Sequence, residues 1–195
     1  RRSAADVVGL QEFWLAEQHL GSWQEFAMKE GYFMLVSPRT GGKKDGCCML
    51  VRSELLTQPP TVETLSFEDW GNRILQLVTL SVAGAAGPLT LAHTHLTYPH
   101  DNGHDPTMRW HQARKMANLV RGRQRTSAVA VFGDLNGDVH DPAVSSLLEN
   151  AGLTPMASDA EWVSHVSHTG AQMACDIVAT SDGTGSGGAS ATCRV

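Results

Sequence analysis

The chain lacks any long apolar segment. None of its apolar runs approaches the roughly 18 residues that a membrane-spanning helix requires, so we expect no transmembrane segment. Cysteines are few, four in 195 residues, and no Cys-x-x-Cys pair is present, which argues against a zinc ribbon. Adjacent Cys47 and Cys48 lie in an apolar pattern typical of a strand. We therefore expect reduced core thiols and an intracellular, cytoplasmic protein.

An excess of basic charge is also missing. The formal net charge is -5, which disfavours a broad basic face that would hold nucleic acid by neutralising phosphates. A hydrophobic content of 42% with 18% charged residues is ordinary for a folded enzyme-like protein. The sequence shows no initiator Met, signal peptide or internal repeat. We expect one domain over residues 1–180, beginning inside the fold, and a flexible Gly/Ser-rich tail over 181–195.

The most informative stretch is 128–138. Residues 128–132 are small or apolar and predict a buried strand, which Gly133 ends just before two polar residues. Leu135 turns inward, so Asp134 and Asn136 lie on one side of the strand end. Turn chemistry alone also explains an Asp-x-Asn-Gly sequence. Their siting at a strand end favours a functional role.

Three other predicted strands end in polar residues. Val7–Leu10 leads to Glu12, although Glu12 could instead begin the amphipathic helix predicted over residues 15–29. A strand that starts at residue 89 leads to His95, and the strand over 174–179 carries Asp176. The strand that starts at residue 89 follows the strand over 74–82 after a short Gly turn, which indicates that these two strands pair antiparallel.

The remaining pattern predicts two more strands, over residues 32–37 and 47–52. Their connection, 38–46, carries three cations and three glycines. It is either a solvated hairpin loop or a loop that approaches an anion closely. Helices are predicted over 108–120 and 143–150, the second with an Asp N-cap followed by Pro. The first helix has a basic face formed by Arg109, Arg114 and Lys115.

Carboxylates, a carboxamide and an imidazole at one sheet edge suit a divalent cation and a phosphoester. The motifs that carry them resemble those of the endonuclease/exonuclease/phosphatase superfamily of metal-dependent phosphoesterases. The matching segments are Leu10-Gln11-Glu12, Thr94-His95-Leu96, Gly133-Asp134-Leu135-Asn136 and Cys175-Asp176-Ile177-Val178. The last has Ile177 where an aromatic residue is usual.

This resemblance implies an α/β fold, a two-sheet α/β/β/α sandwich of mainly antiparallel strands, here incomplete at both ends. It also implies hydrolysis of a phosphoester in a nucleic acid, a phosphoinositide or other lipid headgroup, or a phosphorylated small molecule. Glu12 would bind Mg²⁺ or Mn²⁺. Asp134 would orient or activate water, and Asn136 would bind a phosphoryl oxygen.

The resemblance also assigns catalytic roles to His95 and Asp176 and weaker, substrate-binding roles to two further residues. His95 would stabilise the charge on phosphorus, either as a cation or as a neutral hydrogen-bond donor. Asp176 would lie near the metal. Arg73 and His168 are candidates for substrate contact. Within the superfamily, the segment Trp70-Gly71-Asn72-Arg73 most resembles that of a plant and algal calcium-binding group. However, the chain has no EF-hand loop.

Two alternatives stay open. The superfamily usually has an Asn on an earlier strand and a closing Ser-Asp-His, whereas this chain has no histidine after His168. A catalytically impaired domain that binds phosphorylated ligands or a partner is therefore the second hypothesis. A third is a zinc hydrolase that uses the histidines between residues 93 and 104, namely His93, His95, His100 and His104.

Overall fold

The computed structural model describes residues 5–156, 163–166 and 170–181. Its strands and helices, in chain order, are β1 Val7–Trp14, α1 Glu17–Glu30, β2 Tyr32–Pro38, β3 Asp45–Arg52, β4 Thr61–Ser66, β5 Ile74–Leu80, β6 Leu89–His95, α2 Asp105–Arg123, β7 Ala128–Asp134, α3 Pro142–Ala151, β8 Leu153–Pro155, β9 His165–Val166, β10 Gln172–Met173 and β11 Asp176–Ser181. The proposed tail over 181–195 lies almost wholly outside these residues, so the division of the chain stays a prediction.

Two sheets form the centre of the molecule. One has three strands in the order β1-β3-β2, and the other has six in the order β4-β5-β6-β7-β11-β8. Within the described residues every pairing is antiparallel except that of β6 with β7, which are joined by α2. Strands β9 and β10 pair with each other in a separate two-stranded sheet. The predicted two-sheet arrangement of mainly antiparallel strands is confirmed.

Three apolar clusters bind the layers together. The largest lies between the six-stranded sheet and helices α2 and α3, and includes Leu77, Met116 and Leu147. A second lies between the two sheets, and a third packs α1 on the outer face of the three-stranded sheet. The layers therefore run helix, sheet, sheet, helix, because each sheet has two apolar faces that must be covered.

Most predicted elements are confirmed, with ends shifted by a few residues. Helix α3 begins as expected, since the Asp141 carboxylate accepts from the Ala143 and Val144 amides. Strand β4 was not predicted, because it is a largely exposed edge strand whose only apolar residues, Val62 and Leu65, do not follow an alternating pattern. The described cysteines Cys47, Cys48 and Cys175 are buried and free, as expected. Among the described residues, none of the helices combines the length and apolarity needed to cross a membrane.

Gly133 of β7 lies against the backbone of Thr94 in β6. Its φ is 139°, a conformation that side-chain-bearing residues rarely adopt, and a Cβ there would come well inside 3.0 Å of the Thr94 carbonyl oxygen. Because that oxygen belongs to the neighbouring strand backbone, it cannot swing away. Glycine is therefore needed immediately before Asp134.

We expect Gly133→Ala to lower the free energy of unfolding by about 2 kcal/mol or more, through clash and strain together. Chemical denaturation measures this. Two matched Gly→Ala controls separate the causes, since neither site has a heavy atom within 4 Å of the new Cβ. Gly152→Ala, at φ 59°, should cost about 1 kcal/mol. Gly122→Ala, within α2, should be neutral or stabilising. A loss at Gly133 no larger than at Gly152 would contradict the clash.

Candidate active site

Three neighbouring strands bring polar residues side by side at one edge of the six-stranded sheet. His95 pairs with Asp134 across β6 and β7, and Asp134 pairs with Asp176 across β7 and β11. The His95 Nε2 atom lies 3.6 Å from Asp134 Oδ2. The sequence thus correctly anticipated that these strand ends meet, and the register makes them direct neighbours.

The Asp134–Asn136 turn presents its two polar side chains in a defined way. The Asn136 amide donates to Asp134 Oδ1 at 2.8 Å, and the Asn136 side chain donates from Nδ2 to the Leu96 carbonyl at 2.8 Å. Asn136 has a φ of 52°, which Asn tolerates better than most residues. Buried Leu135 donates its amide to the Cys175 carbonyl at 2.8 Å. Turn chemistry and siting at the sheet edge therefore act together.

Arg109 of α2 stabilises this turn through hydrogen bonds to its backbone carbonyls. It does not belong to an exposed basic face, as the helical pattern predicted, but is only 5% exposed. Its Nη1 donates to the Leu135 and Asn136 carbonyls at 3.2 and 2.6 Å, and its Nη2 pairs with the Asp141 carboxylate. Helix periodicity gave no warning, because the partners of Arg109 come from a loop distant in sequence.

Glu12 reaches the same edge from the other sheet. It does not follow the end of a strand, as predicted, but lies inside β1, at an irregularity where the pairing with β3 shifts between Leu10 and Phe13. Its φ of 51° turns the side chain out of the regular alternation. The carboxylate is 71% exposed, and its Oε1 lies 4.0 Å from His95 Nδ1.

Arg73 determines which nitrogen of His95 carries the proton. Its Nη1 lies 2.9 Å from His95 Nδ1, and a guanidinium can only donate, so Nδ1 accepts and Nε2 bears the hydrogen. Burial, together with the charges of Arg73 and Arg39, lowers the pKa of His95 from 6.5 to about 3. Of the two forms that the sequence left open, the structure favours the neutral donor.

Arg39 and Asp45, which the sequence did not single out, complete the surroundings. Arg39 Nη1 lies 3.0 Å from Asp45 Oδ2, and its Nη2 donates to the Gly71 carbonyl at 2.7 Å. A small cavity is lined by Glu12, Arg39, Asp45, Gly46, Cys47, Arg73, Ile74 and His95. The cation-rich loop 38–46 was the available signal. The structure shows a hairpin between β2 and β3 with Arg39 in the cavity lining, and close approach to an anion stays a prediction.

Burial also sets the protonation of neighbouring groups. It raises the pKa of Asp134, an effect that the nearby Asp176 carboxylate increases and the Asn136 amide opposes. It raises the pKa of the Cys47 thiol to about 12 and that of Cys175 to about 11, the latter also through the Asp134 charge. These shifts favour the protonated thiol at neutral pH, which is a poor nucleophile.

The donor set fits a hard cation better than zinc. Mg²⁺ binds through one or two carboxylates plus substrate phosphates, which an exposed carboxylate such as Glu12 can supply. Among the described residues, no group of three or more His, Cys, Asp or Glu side chains could hold a metal by itself. His93 uses both ring nitrogens in hydrogen bonds with Gln11 and Gln76, so the zinc hypothesis loses a central ligand. His168 lies outside the described residues.

Comparison with known families decides where this arrangement belongs. A model of the endonuclease/exonuclease/phosphatase family matches residues 1–193. The chain belongs to this family. Enzymes of the family are phosphoesterases that generally use divalent metal ions, so a hydrolase is supported at that general level. No curated protein sequence matches the chain significantly.

Solved structures agree on the family fold. ANGEL2, a 2′,3′-cyclic phosphatase crystallised with adenosine-2′,3′-vanadate, shares 17% identity at a TM-score of 0.71, covering 91% of this chain and 70% of its own. Truncated TDP2 of Caenorhabditis elegans shares 22% at 0.68, covering 90% and 70%. D. rerio TDP2, complexed with a single-strand DNA product, shares 17% at 0.68, covering 92% and 72%. At these identities the likeness establishes the fold alone.

Because His93 is buried and neutral, we expect the folded protein to lose stability at acidic pH. Burial lowers the pKa of His93 from 6.5 to about 3, so the unfolded chain takes up the proton first as pH falls. Stability should therefore be complete above about pH 6.5 and decline towards pH 3, by up to about 1.4 kcal/mol per pH unit from this group. Urea denaturation across that range measures the slope.

In His93→Gln the decline should be shallower by up to that amount, because glutamine keeps polar groups at the position but does not titrate. The same substitution at exposed His140 is the control. An unchanged pH slope in His93→Gln would contradict the assignment of a neutral buried imidazole.

Proposed function

We propose that this protein is a divalent-metal-dependent phosphoesterase that cleaves a phosphomonoester or phosphodiester at the edge formed by β6, β7 and β11. One observation carries the proposal. In the strand registers His95, Asp134 and Asp176 are neighbours, and Glu12 and Arg73 line one cavity together with His95. Acidic groups, a neutral imidazole donor and a guanidinium are the groups that phosphoryl transfer to water requires.

Each residue has a role that its contacts support. Glu12 is the proposed ligand of Mg²⁺ or Mn²⁺, an ion that would neutralise charge on the phosphoryl oxygens. Asp134 accepts a hydrogen bond from the attacking water and orients it, with Asp176 beside it. His95 donates from Nε2 to an oxygen on phosphorus, since Arg73 occupies its Nδ1. Asn136 would donate to a second phosphoryl oxygen through the Nδ2 hydrogen that does not bond to the Leu96 carbonyl.

The two guanidinium groups favour an anionic substrate. Arg73 and Arg39 both line the cavity. Burial lowers the pKa of Arg73, but a guanidinium keeps its positive charge in proteins. Only Arg39 has a close carboxylate partner in the described residues that line this cavity, namely Asp45. Arg73 is therefore the group that we expect to contact the phosphoester directly.

An exposed indole on the turn that precedes Arg73 in sequence favours a substrate that carries an aromatic base. Trp70 is 95% exposed, although its turn is firmly held. The Asn72 amide donates to the Asp69 carbonyl, and Arg39 Nη2 donates to the Gly71 carbonyl. An exposed indole carried on a hydrogen-bonded turn can stack on a nucleobase. Nucleotide and DNA ligands in the ANGEL2 and TDP2 structures agree with this choice.

We expect Mg²⁺-dependent release of phosphate or nucleotide from a panel of phosphoesters. Glu12→Gln and Asp134→Asn should each lower kcat by roughly 100-fold or more, because each removes a charge on which the reaction depends. Glu25→Gln, an exposed carboxylate on α1, is the matched control and should leave kcat unchanged. Unaltered turnover in both site variants would overturn the proposal.

The same assay separates a catalytically impaired domain from an enzyme. Thermal stabilisation by Mg²⁺ with a nucleotide, in the absence of any product, would favour a binding protein. The resemblance to the calcium-binding plant and algal group stays a prediction.

We expect Trp70→Ala to raise the KM for adenosine monophosphate by roughly tenfold, since base stacking on an aromatic side chain contributes about 1–3 kcal/mol. The KM for ribose phosphate, which lacks the base, should change little. Trp70→Phe should retain most of the affinity. Equal changes for both substrates would show that Trp70 acts on the phosphate site and not on a base.

A further inference from the structure

A chain of polar side chains crosses the apolar interface between the two sheets. Its surroundings include Met49, Val78 and Leu80, all buried. Within this interface Gln76 of β5 and His93 of β6 are 0% exposed. Buried polar groups are retained in such surroundings only when they are hydrogen-bonded, so the partners of these two residues define what they do.

The hydrogen bonds of this chain can run in one direction only. Gln76 Nε2 donates to the Leu35 carbonyl at 2.9 Å, which leaves Gln76 Oε1 as an acceptor. His93 Nδ1, 3.1 Å from that oxygen, must therefore donate, and its Nε2 must accept. Gln11 Nε2 lies 2.9 Å from His93 Nε2 and supplies that hydrogen. The chain begins at a backbone carbonyl of β2 and ends at Gln11 of β1.

Gln11 is the residue immediately before Glu12, inside the irregular part of β1. The register passes from Leu10 opposite Cys48 to Phe13 opposite Gly46, so Gln11 and Glu12 have no paired residue in β3. Glu12 also has a φ of 51°, which is unfavourable for a residue other than glycine and must be stabilised by its surroundings. The Gln11 side chain ties this segment to the opposite sheet.

The imidazole at the centre of the chain is itself held in place. It stacks on Phe132 with ring centroids 4.9 Å apart and planes inclined by 17°. Gly9 lies against the same pair, and a Cβ there would reach within 3.0 Å of the His93 Nε2 atom and closer still to Phe132. Close packing therefore fixes the position of the atom to which Gln11 donates.

We propose that Gln11, His93 and Gln76 form a positioning network that holds the Glu12 carboxylate at the rim of the cavity. The inference rests on the proposed role of Glu12 as a metal ligand. Supporting residues of this kind orient ligands without touching the metal, and their removal commonly lowers metal affinity or activity about 10- to 100-fold.

The test combines Mn²⁺ binding, followed by electron paramagnetic resonance, with steady-state kinetics. His93→Leu should weaken Mn²⁺ binding roughly tenfold or more and lower kcat, because Gln11 loses its acceptor. His93→Gln should recover much of both, since an amide can donate to Gln76 and accept from Gln11. Gln11→Leu, at a half-buried position, provides a milder variant should His93→Leu fold poorly.

Val78→Ala is the matched control for general destabilisation. Val78 is fully buried in the same interface but makes no polar contact, so its truncation should lower stability without weakening Mn²⁺ binding. Equal weakening in Val78→Ala and His93→Leu would overturn the proposal, as would unchanged Mn²⁺ affinity in both His93→Leu and Gln11→Leu.

A ligand-free measurement keeps the positioning network separate from the proposed function. Amide hydrogen exchange of residues 10–14 should accelerate in His93→Leu and Gln11→Leu more than in Val78→Ala. If exchange accelerates in these variants while the wild-type protein neither binds Mn²⁺ nor hydrolyses phosphoesters, the positioning network is supported and the proposed function is rejected. Exchange that is unchanged in both variants would reject the network itself.

Discussion

The parallel pairing of β6 with β7 is the constraint on which the candidate active site depends. It sets His95 beside Asp134, and it is possible only because Gly133 lets the two backbones approach at the Thr94 carbonyl. On the other side of β7, β11 adds Asp176 through an antiparallel register. Three polar residues distant in sequence thus become neighbours through backbone hydrogen bonds, before any side chain of the site interacts with another.

The electrostatic character of the site arises from a second sheet placed against the first. Glu12 comes from β1, while Arg39 and Asp45 come from the hairpin between β2 and β3. Together with Arg73 they surround an imidazole that burial keeps neutral, with its hydrogen on Nε2. In the proposed reaction, such a buried neutral donor beside guanidinium groups would stabilise negative charge that develops at phosphorus, without a proton transfer of its own.

The sandwich interface has two functions in this interpretation. Its apolar residues hold the sheets together. Gln11, His93 and Gln76 link the two sheets through hydrogen bonds whose donors and acceptors are fixed. Apolar side chains would fill the same space without fixing any orientation. A chain of polar side chains whose hydrogen bonds are all made specifies one arrangement. Here it specifies the orientation of Gln11, the residue next to Glu12.

The sequence by itself determined the features that depend on near neighbours. The apolar run of β7, the Asp141 cap of α3 and the Asp134–Asn136 turn all follow from residues a few positions apart, because local sterics and short-range hydrogen bonds control them. Only the tertiary structure decided the bulge at Glu12, the burial of Arg109 and the protonation of His95. Those properties depend on groups far away in sequence, since burial and charge are set by whatever packs against a residue, and no local pattern records it.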